Sequence, residues 1–187
     1  ALESSSTVMA GANLSVNWTG PANPFDAIGI AAPGDKGTPP AHTAYAEKSP
    51  TNVRAPAQPG DYEIRYITGH LKRTIATTKL TVLAAAASLD APASVVAGSA
   101  FQVRWEGPGH RLEKINLAKK GTPDDKSESY DYVTPGKSFL AHAPLAAGEY
   151  ELRYVGFEGA ILARATVQVT PAKEEPGTIS VQIKGRA

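Results

Sequence analysis

The sequence predicts an all-β protein built as two tandem antiparallel β-sandwiches. Three observations predict it. One residue pattern occurs twice, apolar and polar residues alternate with period two inside that pattern, and turn formers separate the alternating runs. The chain of 187 residues holds 17 Gly and 15 Pro, which suits a turn-rich β protein. No stretch of about ten residues combines helical periodicity with caps.

The repeat sets the domain organisation. Met9–Pro21 (MAGANLSVNWTGP) matches Val96–Pro108 (VAGSAFQVRWEGP) at a separation of 87 residues. Pro59–Tyr66 (PGDYEIRY) matches Ala147–Tyr154 (AGEYELRY) at 88, and Leu80 and Val82 answer to Val167 and Val169 at 87. The first copy is read as residues 1–86 and the second as 87–171. Ala84–Ala87 is too short for a stable helix and serves as a connector. In 172–187, Lys173–Gly177 reads as a solvated linker. Thr178–Lys184 alternates Ile179, Val181 and Ile183 with polar neighbours, as an extra edge strand or the start of a further module would.

The strands follow in chain order. Leu14, Val16 and Trp18 share one face of a strand, and Phe101, Val103 and Trp105 repeat them; such alternation puts one face in a core. Gly20-Pro21 and Gly107-Pro108 end these strands. Ala27–Ala31 and Ile115–Ala118 are the next strands, and long loops open at Pro33 and Lys120. Tyr45 and Tyr132 lie beyond those loops, and Asn52–Ala55 and Phe139–His142 are short strands. Gly60–Thr68 and Gly148–Val155 carry the strongest alternation. There Tyr62, Ile64 and Tyr66, and likewise Tyr150, Leu152 and Tyr154, face one way; Glu63 with Arg65 and Glu151 with Arg153 face the other. Thr74–Val82 and Ile161–Val169 close the copies.

About seven short strands in a copy of this length fit an immunoglobulin-like sandwich. Gly-Asp-Tyr62 and Gly-Glu-Tyr150 resemble the tyrosine corner of such domains, in which the phenol bonds an upstream backbone group. The cysteine pair of antibody domains is absent, and Trp18 and Trp105 lie on an early strand rather than the third. Trp18, Tyr62, Tyr66, Trp105, Tyr150 and Tyr154 are the expected core aromatics.

The chemistry search excludes more than it finds. With 0 Cys there is no disulfide scaffold, thiolate metal site or cysteine nucleophile. A formal net charge of +1 with mixed signs argues against a nucleic-acid surface, and no apolar run approaches a membrane span. Gly136-Lys137-Ser138 lacks the upstream glycine of a phosphate loop, since Asp131 stands there. His42, His70, His110 and His142 read as surface residues. Asp124 and Asp125, with Asp131, read as a solvated turn, with calcium ligation as the sharper alternative. Tyr45, Tyr130, Tyr132 and Phe157 read as core or rim, with Tyr45 and Tyr132 the candidate ligand contacts beside Asp124 and Asp125. Neither a cofactor nor a catalytic residue is expected.

The twice-used blocks A-G-x-x-x-x-V-x-W-x-G-P and [PA]-G-[DE]-Y-E-[IL]-R-Y resemble tandem repeats that follow the von Willebrand factor A domain in bacterial cell-envelope proteins. Some of those proteins are labelled homologues of calcium-activated chloride channels. The resemblance spans Leu2 to Pro171 and implies an exported, periplasmic or envelope module with no catalytic residues. Its partner would be a protein or a neighbouring domain of the same chain, without membrane insertion. The residues leave open a glycan- or calcium-binding module, or an accessory domain of a larger hydrolase.

Overall fold

A computed structural model describes residues 1–36, 40–133 and 136–173. The first copy runs β1 (Leu2–Glu3), β2 (Thr7–Met9), β3 (Asn13–Trp18), β4 (Ala27–Ala31), β5 (His42–Tyr45), β6 (Thr51–Arg54), β7 (Gly60–Ile67) and β8 (Thr74–Leu83). The second runs β9 (Ser88–Asp90), β10 (Ser94–Val96), β11 (Ala100–Glu106), β12 (Lys114–Lys119), β13 (Ser129–Tyr132), β14 (Ser138–His142), β15 (Gly148–Val155) and β16 (Ile161–Thr170).

Each copy is a sandwich of a three-stranded and a five-stranded sheet. The first pairs β1-β3-β6 against β2-β8-β7-β4-β5, and the second pairs β9-β11-β14 against β10-β16-β15-β12-β13. The fold is therefore two tandem immunoglobulin-like sandwiches. Each has its own core. Leu14, Val16, Ile28, Ile30, Val53, Ile64 and Leu80 close the first; Phe101, Val103, Ile115, Leu117, Leu152 and Val167 close the second. Each such side chain contributes about 1.5–3 kcal/mol of transfer free energy. Residues 84–87 carry no regular structure.

Eight strands form each copy where the sequence predicts about seven. The long strands fall where the alternation puts them. The extra ones are short: β1 pairs with β3, and β2 runs parallel to β8. Strands of two or three residues display no alternation, and only the neighbour's hydrogen bonds define them. The expected strand Thr178–Lys184 lies outside the described residues.

The outward faces of β7 and β15 are not simply solvated. Arg65 is buried and Arg153 is 1% exposed. The first residues of the loops after β4 and β12 fold back over their sheets, and the guanidinium holds them. Arg65 donates to the carbonyls of Asp35 and Ala32; Arg153 donates to those of Thr122 and Pro123. Glu63 and Glu151 orient the two guanidiniums at 2.8 and 3.0 Å.

Candidate functional site

The site is built from the end of each sandwich where the loop before β4 or β12 meets the β7–β8 or β15–β16 hairpin. A buried carboxylate organises it. Asp26 Oδ2 accepts from the Tyr66 hydroxyl at 2.9 Å and from Asn23 N–H at 3.0 Å, and Asp26 Oδ1 accepts from Gly69 N–H at 2.7 Å. Glu113 plays the same part: Tyr154 donates to it at 2.8 Å and His110 N–H at 3.0 Å. Burial pushes the Asp26 carboxyl up, but the bonds from Gly69, Tyr66 and Asn23 together leave it below its ordinary value. Burial raises both phenols, so Tyr66 and Tyr154 stay protonated and act as donors. Trp18 packs edge-on to Tyr66 at 5.3 Å, and Trp105 to Tyr154 at 5.6 Å.

The carboxylate anchor forces the residue before it outward. Phe25 and Leu112 both adopt left-handed backbone, at φ 66 and 72, and stand 70% and 67% exposed. A bulky apolar side chain rarely accepts that conformation. The signal for the anchors was in the sequence, since Asp26 and Glu113 are acids at the repeat separation of 87 residues. The alternation argument passed over them because they lie in loops.

The second sandwich seats its hairpin on the first. A single 3-10 turn, Phe157–Gly159, carries the contact. Phe157 lies against Gly11, whose positive φ of 72 and missing side chain leave the room; a Cβ there would sit 2.8 Å from Phe157 Cβ. The Arg54 guanidinium stacks 3.9 Å from the Phe157 ring centroid and is held by the Gly11 carbonyl. Glu158 accepts from Ala57 N–H at 3.3 Å and lies 3.5 Å from His42 Nε2. Phe157 is thus neither core nor rim of its own sandwich but part of the joint, and His42 is half-buried there.

Other expected residues are placed as follows. Tyr66, Trp105, Tyr150 and Tyr154 are buried, whereas Trp18 and Tyr62 pack half-buried against the first core. Tyr62 and Tyr150 donate to the carbonyls of Gln58 and Ala146, each four residues upstream. Tyr45, Tyr130 and Tyr132 are 62%, 51% and 51% exposed, which corrects the core-or-rim reading. They sit on edge strands β5 and β13. Tyr130 and Tyr132 pack edge to face at 5.5 Å. Asp124 is ion-paired to Arg164 at 2.7 Å, which lowers its pKa, so it is no free turn carboxylate. Asp125 meets Lys126 at 3.6 Å. His70 and His142 are exposed, and His110 lies 3.2 Å from Glu113. Among the described residues no three His, Asp or Glu gather as metal ligands.

A cavity of about 550 Å³ opens beside the joint, over the outer face of β12. Asn116 lines it together with Arg54, Arg111, Leu112, Asp125 and Glu158.

No protein-family model matches the chain, and no curated protein matches it. Among solved structures it is similar to the BSP domain of a biofilm associated protein, at 12% identity and TM-score 0.35, covering 93% of this chain. It spans 30% of that protein's chain. Fibronectin(III)-like modules of Clostridium thermocellum CbhA match at 11% identity and TM-score 0.33, covering 97% of this chain and 100% of theirs. A two-domain fibronectin type-III segment of chicken tenascin matches at 15% identity and TM-score 0.35, covering 90% and 98%. The fold assignment rests on the strand pairing described above.

Proposed function

We propose that this chain is a non-catalytic spacer and protein-interaction module of an exported bacterial envelope protein. One observation carries the reading: Phe157 of the second sandwich occupies the notch at Gly11 of the first, under the Arg54 guanidinium. A tandem pair that needed only a tether would not build an aromatic wedge, a cation stack and a backbone hydrogen bond into its joint. A fixed joint turns two small sandwiches into one extended strut and holds their exposed edge strands, with Tyr45 and Tyr132, at a set spacing. Such edges are natural sites for partner contact. The envelope location, and a neighbouring von Willebrand factor A domain, are supported by the resemblance of the repeated Trp and Tyr blocks.

Small-angle scattering tests the strut. The chain should scatter as a single extended shape, and Phe157→Ala should broaden its distance distribution without changing either sandwich. Identical profiles for the two proteins would sink the reading. Fractionation of the source cells tests location, and recovery in the cytosol would remove the envelope assignment.

A further inference from the structure

Each sandwich carries both parts of the joint, one at each end. The hairpin after β7 or β15 lies at one end. The glycine turn lies at the other, where Ala10 N–H donates to the Leu83 carbonyl and Ala97 N–H to that of Thr170, both at 2.8 Å. The two turns are built alike. Gly11 and Gly98 have φ 72 and 76, and their N–H groups donate to Pro56 and Pro144 at 3.1 and 3.3 Å. Arg54 faces Asn13 across the sheet as His142 faces Ala100. Only the first of these seats is covered. Gly11 is buried under Phe157, and Arg54 and Ala57 are half-buried; Gly98 and His142 are exposed, and Leu145 is 87% exposed.

The hairpins show the converse. Thr68–Arg73 and Gly156–Ala160 are each closed by a bond from the first N–H to the last carbonyl, at 2.9 and 2.8 Å. Each tip carries one large apolar side chain, Leu71 or Phe157, and turns through a charged left-handed residue, Lys72 at φ 52 or Glu158 at φ 54. Phe157 fills the joint, whereas Leu71 is 66% exposed. The pair of sandwiches thus presents an open hairpin at one end and an open seat at the other.

The open parts complement each other. In the joint a Phe on the hairpin goes with Ala57 on the seat. At the open ends the hairpin has the smaller Leu71, and the seat has the larger Leu145, placed so that a Cβ on Gly98 would lie 3.2 Å from its Cδ2. Such an exchange conserves volume. Charge is exchanged as well. The acidic Glu158 meets His42 in the joint. Register puts Ser129 in the place of His42, with Glu128 beside it in the chain, while the open hairpin carries His70, Lys72 and Arg73. Opposite signs therefore face each other in both settings.

We infer that a second copy of this chain docks head to tail, its Thr68–Arg73 hairpin seated on Gly98, His142 and Leu145 and its Lys72 directed at Glu128. The two surfaces differ, so each copy keeps one free end and association runs on into linear chains instead of stopping at a dimer. No linker tethers the two copies, so the contact is weak, with a Kd of about 0.1–1 mM. This inference rests on the strut reading.

The test is sedimentation and NMR of the whole chain from about 20 μM to about 1 mM, a range that brackets such a Kd. Size should rise reversibly with concentration, and amide shifts should concentrate at Leu71, Lys72, Gly98 and Leu145. Leu71→Asp and Leu145→Asp should each weaken association at least about tenfold, or ~1.4 kcal/mol. An equimolar mixture of the two variants should form a one-to-one complex and grow no further, because each supplies the surface that the other lacks. Unchanged melting temperatures check folding; if either variant does not fold, Lys72→Glu or Glu128→Lys replaces it on the same side. A chain that stays monomeric to about 1 mM overturns the inference. So does a variant that associates like the native chain, or a mixture that stays monomeric. Both substituted residues lie outside the internal joint, so the scattering of the dilute chain tests the strut separately.

Discussion

The hydroxyl of Tyr66 donates to Asp26 Oδ2 at 2.9 Å and accepts from Ala22 N–H at 3.0 Å, so one phenol ties strand β7 to the loop that enters β4. Tyr154 repeats both bonds, to Glu113 at 2.8 Å and from Gly109 N–H at 3.1 Å. The two copies keep the geometry while exchanging Asp for Glu, and the longer side chain reaches the same phenol.

This anchor gives the first sandwich an acid dependence. Asp26 has a folded pKa below its ordinary value, so its contribution is complete above about pH 4 and is lost as pH falls through the lower folded value. Asp26→Asn should lower the melting temperature at neutral pH. The difference from the native chain should close on acidification. A difference that stays constant into strong acid would show that Asp26 is not the source.

The two indole N–H groups differ in their bonding. Trp18 Nε1 donates to Thr51 Oγ1 at 2.9 Å. By register, Val16 faces Thr51 where Val103 faces Phe139, and Trp105 Nε1 has no partner among the described residues. Thr51→Val should therefore cost the first sandwich about 1 kcal/mol. Chemical denaturation monitored by Trp fluorescence checks it, and an unchanged midpoint would mean the indole bond adds nothing.

Arg153 should prove structural although it faces outward. Arg153→Met removes the donor to Thr122, Pro123 and Glu151 and should cost about 1–3 kcal/mol. Hydrogen exchange should quicken in the loop at 120–126. Unaltered exchange there would show that the loop holds itself.

The joint predicts a coupling. Gly11→Ala places a methyl against Phe157 and in left-handed backbone, the latter costing about 1–2 kcal/mol. In a Phe157→Gly background, which removes the Cβ the new methyl would meet, the contact part of that cost should vanish, leaving a coupling above about 0.5 kcal/mol in a double-mutant cycle. Additive effects would place the two residues out of contact.

Much of this was legible in the order of residues. Alternation at Leu14, Val16 and Trp18, and at Tyr150, Leu152 and Tyr154, marks inward faces because a strand's side chains can point only two ways. The glycines before Tyr62 and Tyr150 marked where the phenol turns back. The exposure of Tyr45 and Tyr132 was not legible, since a tyrosine on an edge strand reads locally like one on a central strand.

By itself the sequence determined the duplication, the all-β character, the long strands and the inward aromatics, because each follows from period-two burial and from turn residues that act locally. Only the tertiary structure decided that Arg65 and Arg153 are buried, that Asp26 and Glu113 hold the loops, that Phe157 packs on the neighbouring sandwich, and that Asn116 lines a cavity. Each of those depends on which loop folds over which face. Contacts between residues distant in the chain decide that, and no local pattern encodes them.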